Sequence, residues 1–190
     1  MRGAWGDLDQ DGRHDLIESE AIWTGFIALA AELRLRHLGH QVYPISHGRY
    51  QDRHKAANAV KADVYVALHL NSLTGGTRSG QNGNYAAVFH DHRSKAENGP
   101  ALAADIAAQL SELPVFGSRV RIWKARGDDW TKRAYSTIRG VKKPVAICYE
   151  PAFIDLKAHQ DAFFSPDKIG ILGERLADGI HAWAQRRANT

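Results

Sequence analysis

Two short, compact apolar segments constrain the fold of this 190-residue chain more than any other feature. They read DVYVALH at 63–69 and PVAICYE at 144–150. Neither alternates apolar with polar residues, so each predicts a strand buried on both faces, as in a parallel sheet covered by helices. Amphipathic helical segments around these strands indicate an α/β layer fold. We therefore predict a single α/β domain over 1–190, with a twisted, mostly parallel sheet flanked by helices on both faces.

Apolar periodicity predicts the other elements. Helices are predicted at 19–38, 53–61, from Pro100 onward, and from a cap at Ser165 to about Ala184. Strands are predicted at 41–46, 85–90 and 119–123, whereas 126–142 shows no clear pattern. Each long helix has an apolar stripe that we expect to be buried. The stripes are Ile22, Phe26, Leu29 and Leu33 in the first helix, Leu102, Ile106, Leu110 and Leu113 in the third, and Ile169, Leu172, Leu176, Ile180 and Trp183 in the last.

Composition excludes several classes of protein. The formal charge of +4 is too weak to predict binding to nucleic acid. The single cysteine, Cys148, excludes an internal disulfide framework. No apolar run approaches the roughly 18 residues of a membrane span, and the polar, acidic N-terminus has no secretory signal. Ten histidines, in contrast, offer many metal ligands and general bases.

Three side chains are placed to form a site. His69 and Glu150 end the two buried strands, and Glu20 opens the first helix. The carboxyl ends of parallel strands share one edge of a sheet, where ligands bind. Each residue also has a plain structural explanation, since strand ends are often solvated and acids are favoured in a first helical turn. The expectation is that the three converge at one edge.

The segments around these residues resemble a known family. Arg53, Ala57-Asn58, Ala62-Asp63 and His69-Leu70-Asn71 occur in the order found in the zinc-dependent N-acetylmuramoyl-L-alanine amidases of the type-3 family. Glu150-Pro151-Ala152-Phe153-Ile154 is similar to that family's Glu-x-Gly-Phe-Ile, with Ala152 in place of glycine. Glu20 stands before a helix and a strand, as the family's second metal ligand does. The resemblance covers nearly the whole chain.

The resemblance implies both a function and roles for individual residues. Glu20 and His69 would bind Zn²⁺, and Glu150 would be the catalytic carboxylate beside the metal water. Asn71 and Arg53 would contact substrate. The reaction implied is hydrolysis of the amide between N-acetylmuramic acid and L-alanine, which makes peptidoglycan the expected partner. The oligomeric state is left open.

The first zinc ligand of the family has no counterpart in this chain. In the family it is a histidine in a Gly-His-Gly-Gly turn after the first strand, whereas this chain begins Met1-Arg2-Gly3-Ala4-Trp5-Gly6. A truncated chain, a misassigned start and a lost ligand are all consistent with this. His14 is a candidate substitute because it lies six residues before Glu20. His90 and His92 are the next candidates.

A second metal motif precedes the first helix. Asp7, Asp9, Asp11, Gly12, Asp15 and Glu18 fill the ligand and turn positions of an EF-hand-type calcium loop. We interpret 7–18 as an inserted Ca²⁺ loop that would hold Glu20 in place. The alternative is an acidic turn that leads into the helix without binding metal.

Three hypotheses for function follow. The first is a zinc amidase acting on the cell wall, either an endolysin released by a phage or an extracellular or periplasmic remodelling enzyme. The second is a catalytically inactive amidase-like module that binds peptidoglycan or a partner. The third is a structural calcium-binding domain, which would have the 7–18 loop without a zinc site.

Overall fold

The computed structural model describes residues 19–46, 48–73, 84–142 and 144–189. Within these ranges the elements are α1 Glu20–His37, α2 Tyr50–Ala59, β1 Val64–Leu68, β2 Ala86–Asp91, α3 Gly99–Ser111, β3 Val120–Ala125, α4 Lys132–Ile138, β4 Val145–Glu150, α5 Lys157–Phe163 and α6 Gly170–Ala188. None of these helices is long and apolar enough to cross a membrane.

The four strands form one sheet in the order β1-β4-β2-β3. β1 pairs with β4 in parallel and β2 with β3 in parallel, whereas β2 and β4 are antiparallel. The α/β fold class is thus confirmed, with two of three strand pairs parallel. The antiparallel pair brings the carboxyl ends of β1 and β4 to the same edge as the amino ends of β2 and β3.

Helices cover both faces of the sheet. On one face, α3 packs on β2, β3 and β4, and α6 packs in turn on α3 and α1. The hydroxyl of Tyr149 in β4 donates to the carbonyl of Leu172 in α6 at 2.7 Å, which ties this layer to the sheet. On the other face, α4 packs across the sheet over a smaller apolar cluster that includes Phe89 and Cys148.

The buried face of α1 differs from the prediction. Ile22, Phe26, Leu29 and Leu33 are 41%, 39%, 52% and 60% exposed, so the predicted stripe lies at the surface of the described residues. The face toward α6 instead carries residues 23, 27 and 31, which are buried. The stripes predicted for α3 and α6 are buried as expected.

A close approach of two helix backbones explains this choice of face. A Cβ atom added to Gly173 of α6 would lie 2.2 Å from the carbonyl oxygen of Ile27 and 2.9 Å from the Cβ atom of Ala30. The small side chains of Ala30 and Ala31 permit this approach, whereas Leu29 and Leu33 would hold the helices apart. The close approach of the α1 and α6 backbones, rather than the size of the apolar side chains, therefore determines which face of α1 is buried.

Four other elements differ from the predictions. Residues 41–46 form no strand, because no described segment supplies a ladder partner. The unassigned region 126–142 contains α4, and α5 was not predicted. The last helix begins at Gly170 rather than at Ser165, whose hydroxyl donates to Asp167 at 2.6 Å within a preceding turn.

A buried histidine ties α5 to the segment after β4. His159 is fully buried, its Nδ1 accepts the Phe153 N–H at 2.9 Å, and its Nε2 lies 3.2 Å from Oδ1 of Asn84. Both contacts are satisfied only by the neutral ring with its proton on Nε2. Burial, helped by the charge of Arg119, lowers the pKa of His159 from 6.5 to about 4.

The α1–α6 contact predicts opposite effects for two glycine-to-alanine changes. Gly173→Ala should lower the free energy of unfolding by about 1–3 kcal/mol, because the added methyl group forces the helices apart. Gly25→Ala is the matched control, since nothing lies within 4 Å of its added Cβ atom. It should raise stability by about 0.5–1 kcal/mol through helix propensity. Urea unfolding measures both, and equal effects of the two changes would contradict the packing.

The state of His159 predicts a loss of stability in acid. Its pKa is lower in the folded chain, so its contribution is complete above about pH 6.5 and is lost as the pH falls toward about 4, since the unfolded state takes up the proton first. Between pH 7 and pH 4.5 the wild type should lose about 2–3 kcal/mol more than His159→Gln, whose amide can form both hydrogen bonds without titrating. Parallel stability–pH curves for the two proteins would refute this assignment.

Candidate active site

A carboxylate and an imidazole from distant parts of the chain meet at one sheet edge. Ser19 caps α1 by accepting the Ala21 N–H at 3.3 Å, which places Glu20 in the first turn. One Glu20 oxygen, Oε1, lies 3.0 Å from Nδ1 of His69 and accepts the Leu70 N–H at 3.0 Å. The Glu20 and His69 side chains are 14% and 24% exposed. The predicted pair is therefore brought together in a largely buried position.

Glu150 joins this pair through strand register. Leu68 pairs with Tyr149 in the parallel ladder, and the His69 N–H donates to the Tyr149 carbonyl at 2.9 Å. His69 and Glu150 therefore extend from neighbouring strands at the same level. The structure thus brings Glu20, His69 and Glu150 together, as the strand-end argument predicts.

The charges of these groups influence one another. Burial raises the pKa of the half-buried Glu150, and the charge of Glu20 raises it further, against the opposing effect of His69. Burial alone would lower the pKa of His69, but the hydrogen bond and charge of Glu20, with the charge of Glu150, raise it above its ordinary value. Glu150 is thus a carboxyl group whose surroundings favour taking up a proton.

Cys148 supports Glu150 from within the strand. Its thiol lies 3.7 Å from Oε1 of Glu150 and is fully buried. Burial raises the pKa of this thiol well above its ordinary value, and the charge of Glu150 adds to the effect. Cys148 and Glu150, two residues apart in β4, share a face of the sheet, and the thiol is an unreactive contact rather than a nucleophile.

Asn71 links the two strand ends. Its N–H donates to the Ala152 carbonyl at 2.8 Å, and its own carbonyl accepts the Ile154 N–H at 2.9 Å. Its side-chain oxygen accepts the Ser72 N–H at 2.8 Å, while its amide is hydrogen-bonded to the hydroxyl of Tyr85. These contacts give Asn71 a structural role at the edge of the site, and substrate binding by this residue stays a prediction.

Two residues of the family-like segment at α2, Arg53 and Asn58, have different roles. Arg53 donates through Nε to the Gly48 carbonyl at 3.2 Å, and its positive charge reaches His69. Asn58 instead anchors the helix, donating to the Gly140 carbonyl at 2.9 Å and accepting the Lys142 N–H at 2.7 Å. Arg53 therefore lies near the site, and Asn58 holds α2 against the segment before β4.

Two tyrosines near the site were not predicted. The ring of Tyr50, the first residue of α2, meets the His69 ring edge-on at a centroid distance of 6.3 Å. Tyr85 precedes β2, and the charge of Glu150 raises its pKa, after burial as the larger cause. Neither lies within a motif quoted above, and Tyr85 comes close only because β2 runs antiparallel to β4.

Two of the other candidate metal ligands, His90 and His92, are not brought to this edge. His90 and Asp91 end β2, whose antiparallel course carries them to the opposite edge of the sheet, and His92 follows them. The prediction that His90 or His92 completes a zinc site with Glu20 and His69 is therefore wrong, because both lie at the opposite edge of the sheet. His14 and the calcium motif, Asp7, Asp9, Asp11, Asp15 and Glu18, lie outside the described residues, so both interpretations stay predictions.

Comparison with known proteins identifies a family that matches almost the whole chain. A family model described as N-acetylmuramoyl-L-alanine amidase matches residues 6–182. No curated protein is similar enough to this chain to match it.

Solved structures share the fold. Cwp6 from Clostridium difficile superposes with a TM-score of 0.71 at 22% identity over 95% of this chain, which spans 27% of the length of Cwp6. An N-acetylmuramoyl-L-alanine amidase from Clostridium difficile 630 gives 0.69 at 17% identity, covering 100% of this chain and 90% of its own. The amidase AmiC2 of Nostoc punctiforme gives 0.70 at 21% identity, covering 97% and 94%.

Proposed function

The chain belongs to the N-acetylmuramoyl-L-alanine amidase family, and we propose that it cleaves its peptidoglycan substrate with the help of a zinc ion bound by Glu20 and His69. The bond hydrolysed is the amide between the lactyl group of N-acetylmuramic acid and L-alanine. The observation that carries the proposal is the 3.0 Å contact between Glu20 and His69, formed across 49 residues of sequence and beside Glu150. The substrate places this activity at the cell wall, where an endolysin or a remodelling enzyme would act.

The side chains of Glu20 and His69 are of the chemical types that bind zinc. A carboxylate and an imidazole are common ligands of catalytic zinc, which has three protein ligands and one open position. The described residues contain no group of three or more His, Cys, Asp or Glu side chains able to hold a metal. Glu20 and His69 would supply two ligands of such a site, and the third would come from outside the described residues. When bound, zinc polarises the scissile carbonyl and acidifies water.

The chain's own residues account for the proton transfers. Glu150 lies next to His69 with a raised pKa, which suits a general base that must later act as an acid. Its carboxylate accepts the proton of the attacking water and delivers that proton to the leaving nitrogen of L-alanine. Tyr50 packs against the ring of His69 and limits its rotation. The Leu70 N–H fixes the Glu20 carboxylate.

The third ligand has two candidate sources. One is His14, six residues before Glu20 in the sequence. The other is a histidine on a strand laid along β1, which among the described residues is paired on one edge only, with β4. The exposed apolar stripe of α1, which starts at Ile22, supports the strand, because it supplies a surface that a neighbouring apolar segment would cover.

Glu150→Gln should abolish amidase activity with little change in zinc content. Removing a general base typically slows a reaction by about 10²–10⁴-fold, and Glu150 need not bind the metal. Release of muropeptide amino groups from purified cell walls measures the rate, and elemental analysis measures the zinc. Glu174→Gln, an exposed change on α6, is the control and should leave both unchanged. A Glu150→Gln variant as fast as the wild type would overturn the assignment.

Metal analysis distinguishes the sources of the third ligand. If His14 is a ligand, the 1–190 chain binds one zinc ion tightly, and His14→Ala releases it. If a strand supplies the histidine, the chain binds zinc weakly, because a lost ligand leaves an exchangeable water, and adding a strand with a Gly-His-Gly turn restores binding and activity. His69→Ala should abolish binding in either case. Tight zinc binding that survives His14→Ala would contradict both sources of the third ligand. Binding of peptidoglycan without cleavage would favour the alternative of an inactive module.

A further inference from the structure

A row of paired residues crosses the sheet at the edge that carries the site. Glu150 of β4 pairs with Ala87 of β2, and Ala87 pairs with Arg121 of β3. Residues directly opposite in a ladder point to the same face, so Glu150 and Arg121 share the face on which His69 lies. Neighbouring strands are about 4.8 Å apart, which places the backbone of Arg121 roughly 10 Å from that of Glu150.

The face between these two charged residues is formed by Tyr85. Ala87, which separates Glu150 from Arg121 in the ladder, is fully buried. Tyr85, two residues earlier and on the same face, is half-buried, and its ring centroid lies 4.9 Å from that of Phe153 and 5.4 Å from that of Trp123. The ring of Tyr85 is therefore the surface that this row offers to an extended ligand. The charges of both Glu150 and Arg121 affect the pKa of Tyr85, in opposite directions and after burial as the main cause. The hydroxyl of Tyr85 therefore lies within reach of both charges.

Arg121 has no anionic partner among the described residues. Five others form ion pairs with carboxylates, namely Arg34, Arg36, Arg93, Arg175 and Arg186. Arg121 is exposed, and among the described residues it makes no hydrogen bond or ion pair. An unpaired guanidinium at one end of a row that begins at the reacting groups is suited to bind an anion of the substrate.

We propose that Arg121 binds the free α-carboxylate of the second residue of the peptidoglycan stem peptide, and so selects acidic stems over amidated ones. The proposal rests on the proposed function, which places the scissile amide at Glu150. Beyond L-alanine, the stem continues with an acidic residue joined through its side chain, and its α-carboxylate is the first fixed negative charge on the peptide side of the cleaved bond. Two extended residues span about 7 Å, and the guanidinium can bridge the remainder of the roughly 10 Å.

The experiment compares two muramoyl tripeptides that differ only in whether the second residue carries its α-carboxylate or an α-carboxamide. Calorimetric titration of the full chain in zinc-containing buffer gives the Kd of each, and cleavage is measured in parallel. The wild type should bind the carboxylate form about 10- to 100-fold more tightly, as expected for a bidentate charged contact. Arg121→Gln should remove this preference by weakening the carboxylate form alone, and Arg121→Lys should keep part of it.

Lys124→Gln is the matched control. It removes the same charge from the same strand, but Lys124 alternates to the opposite face and pairs with His90. It should leave the preference unchanged. Equal affinity of the wild type for both peptides, no binding of either, loss of both on Arg121→Gln, or an equal effect of Lys124→Gln would overturn the proposal. If both peptides are cleaved and the carboxylate form is not bound more tightly, the role of Arg121 is refuted and the proposed function is not. If the carboxylate form is bound more tightly but neither peptide is cleaved, the proposed function is refuted and the contact between Arg121 and the carboxylate is supported.

Discussion

The two opposed pairings of β4 determine which strand-end residues meet at the candidate site. β4 is parallel to β1 on one side and antiparallel to β2 on the other. The parallel pairing brings His69 level with Glu150. The antiparallel pairing brings the start of β2, with Tyr85, to the same edge and carries His90 away from it. If β2 ran parallel to β4, the end of β2 with His90 would lie at the edge that carries Glu150, and Tyr85 would lie at the opposite edge.

The carboxylate of Glu20 depends on a different constraint, the position of α1. Glu20 reaches the sheet edge only because α1 packs closely on α6, where Gly173 leaves room for the backbone at Ile27. The cap at Ser19 then fixes the start of the helix at Glu20. The Leu70 N–H completes the arrangement by donating to the same oxygen that contacts His69. Helix packing, capping and a backbone hydrogen bond thus position one side chain.

Burial gives the site its acid–base character. Burial raises the pKa of Glu150, and the negative charge of Glu20 raises it further. The opposing positive charges come from His69 and Arg133. A carboxyl group balanced in this way changes protonation state at a smaller free-energy cost than one tightly paired with an arginine. The ion pair of Asp91 with Arg93, at the other end of the sheet, lowers the pKa of that carboxyl instead.

The sequence alone determined the four strands of the sheet, four of the six described helices and the three residues that converge, although it also predicted a strand at 41–46 that does not form. Two compact apolar runs predicted β1 and β4 as strands buried on both faces. β4 is buried over its central residues as predicted, whereas β1 lies at the edge of the described sheet and is half-buried at four of its five residues. Residues at the ends of such runs share a sheet edge, which is why the sequence by itself places Glu150 and His69 together.

Only the tertiary structure decided the buried face of α1 and the direction of β2. The helix has two apolar faces, and the close approach permitted by Gly173 selects the one with Trp23, Ile27 and Ala31 rather than the one with Leu29. The direction of β2 depends on hydrogen bonds between segments distant in sequence, which leave no local pattern. For the same reason Arg121, an exposed residue on an ordinary strand, became a candidate only when its register with Ala87 and Glu150 was known.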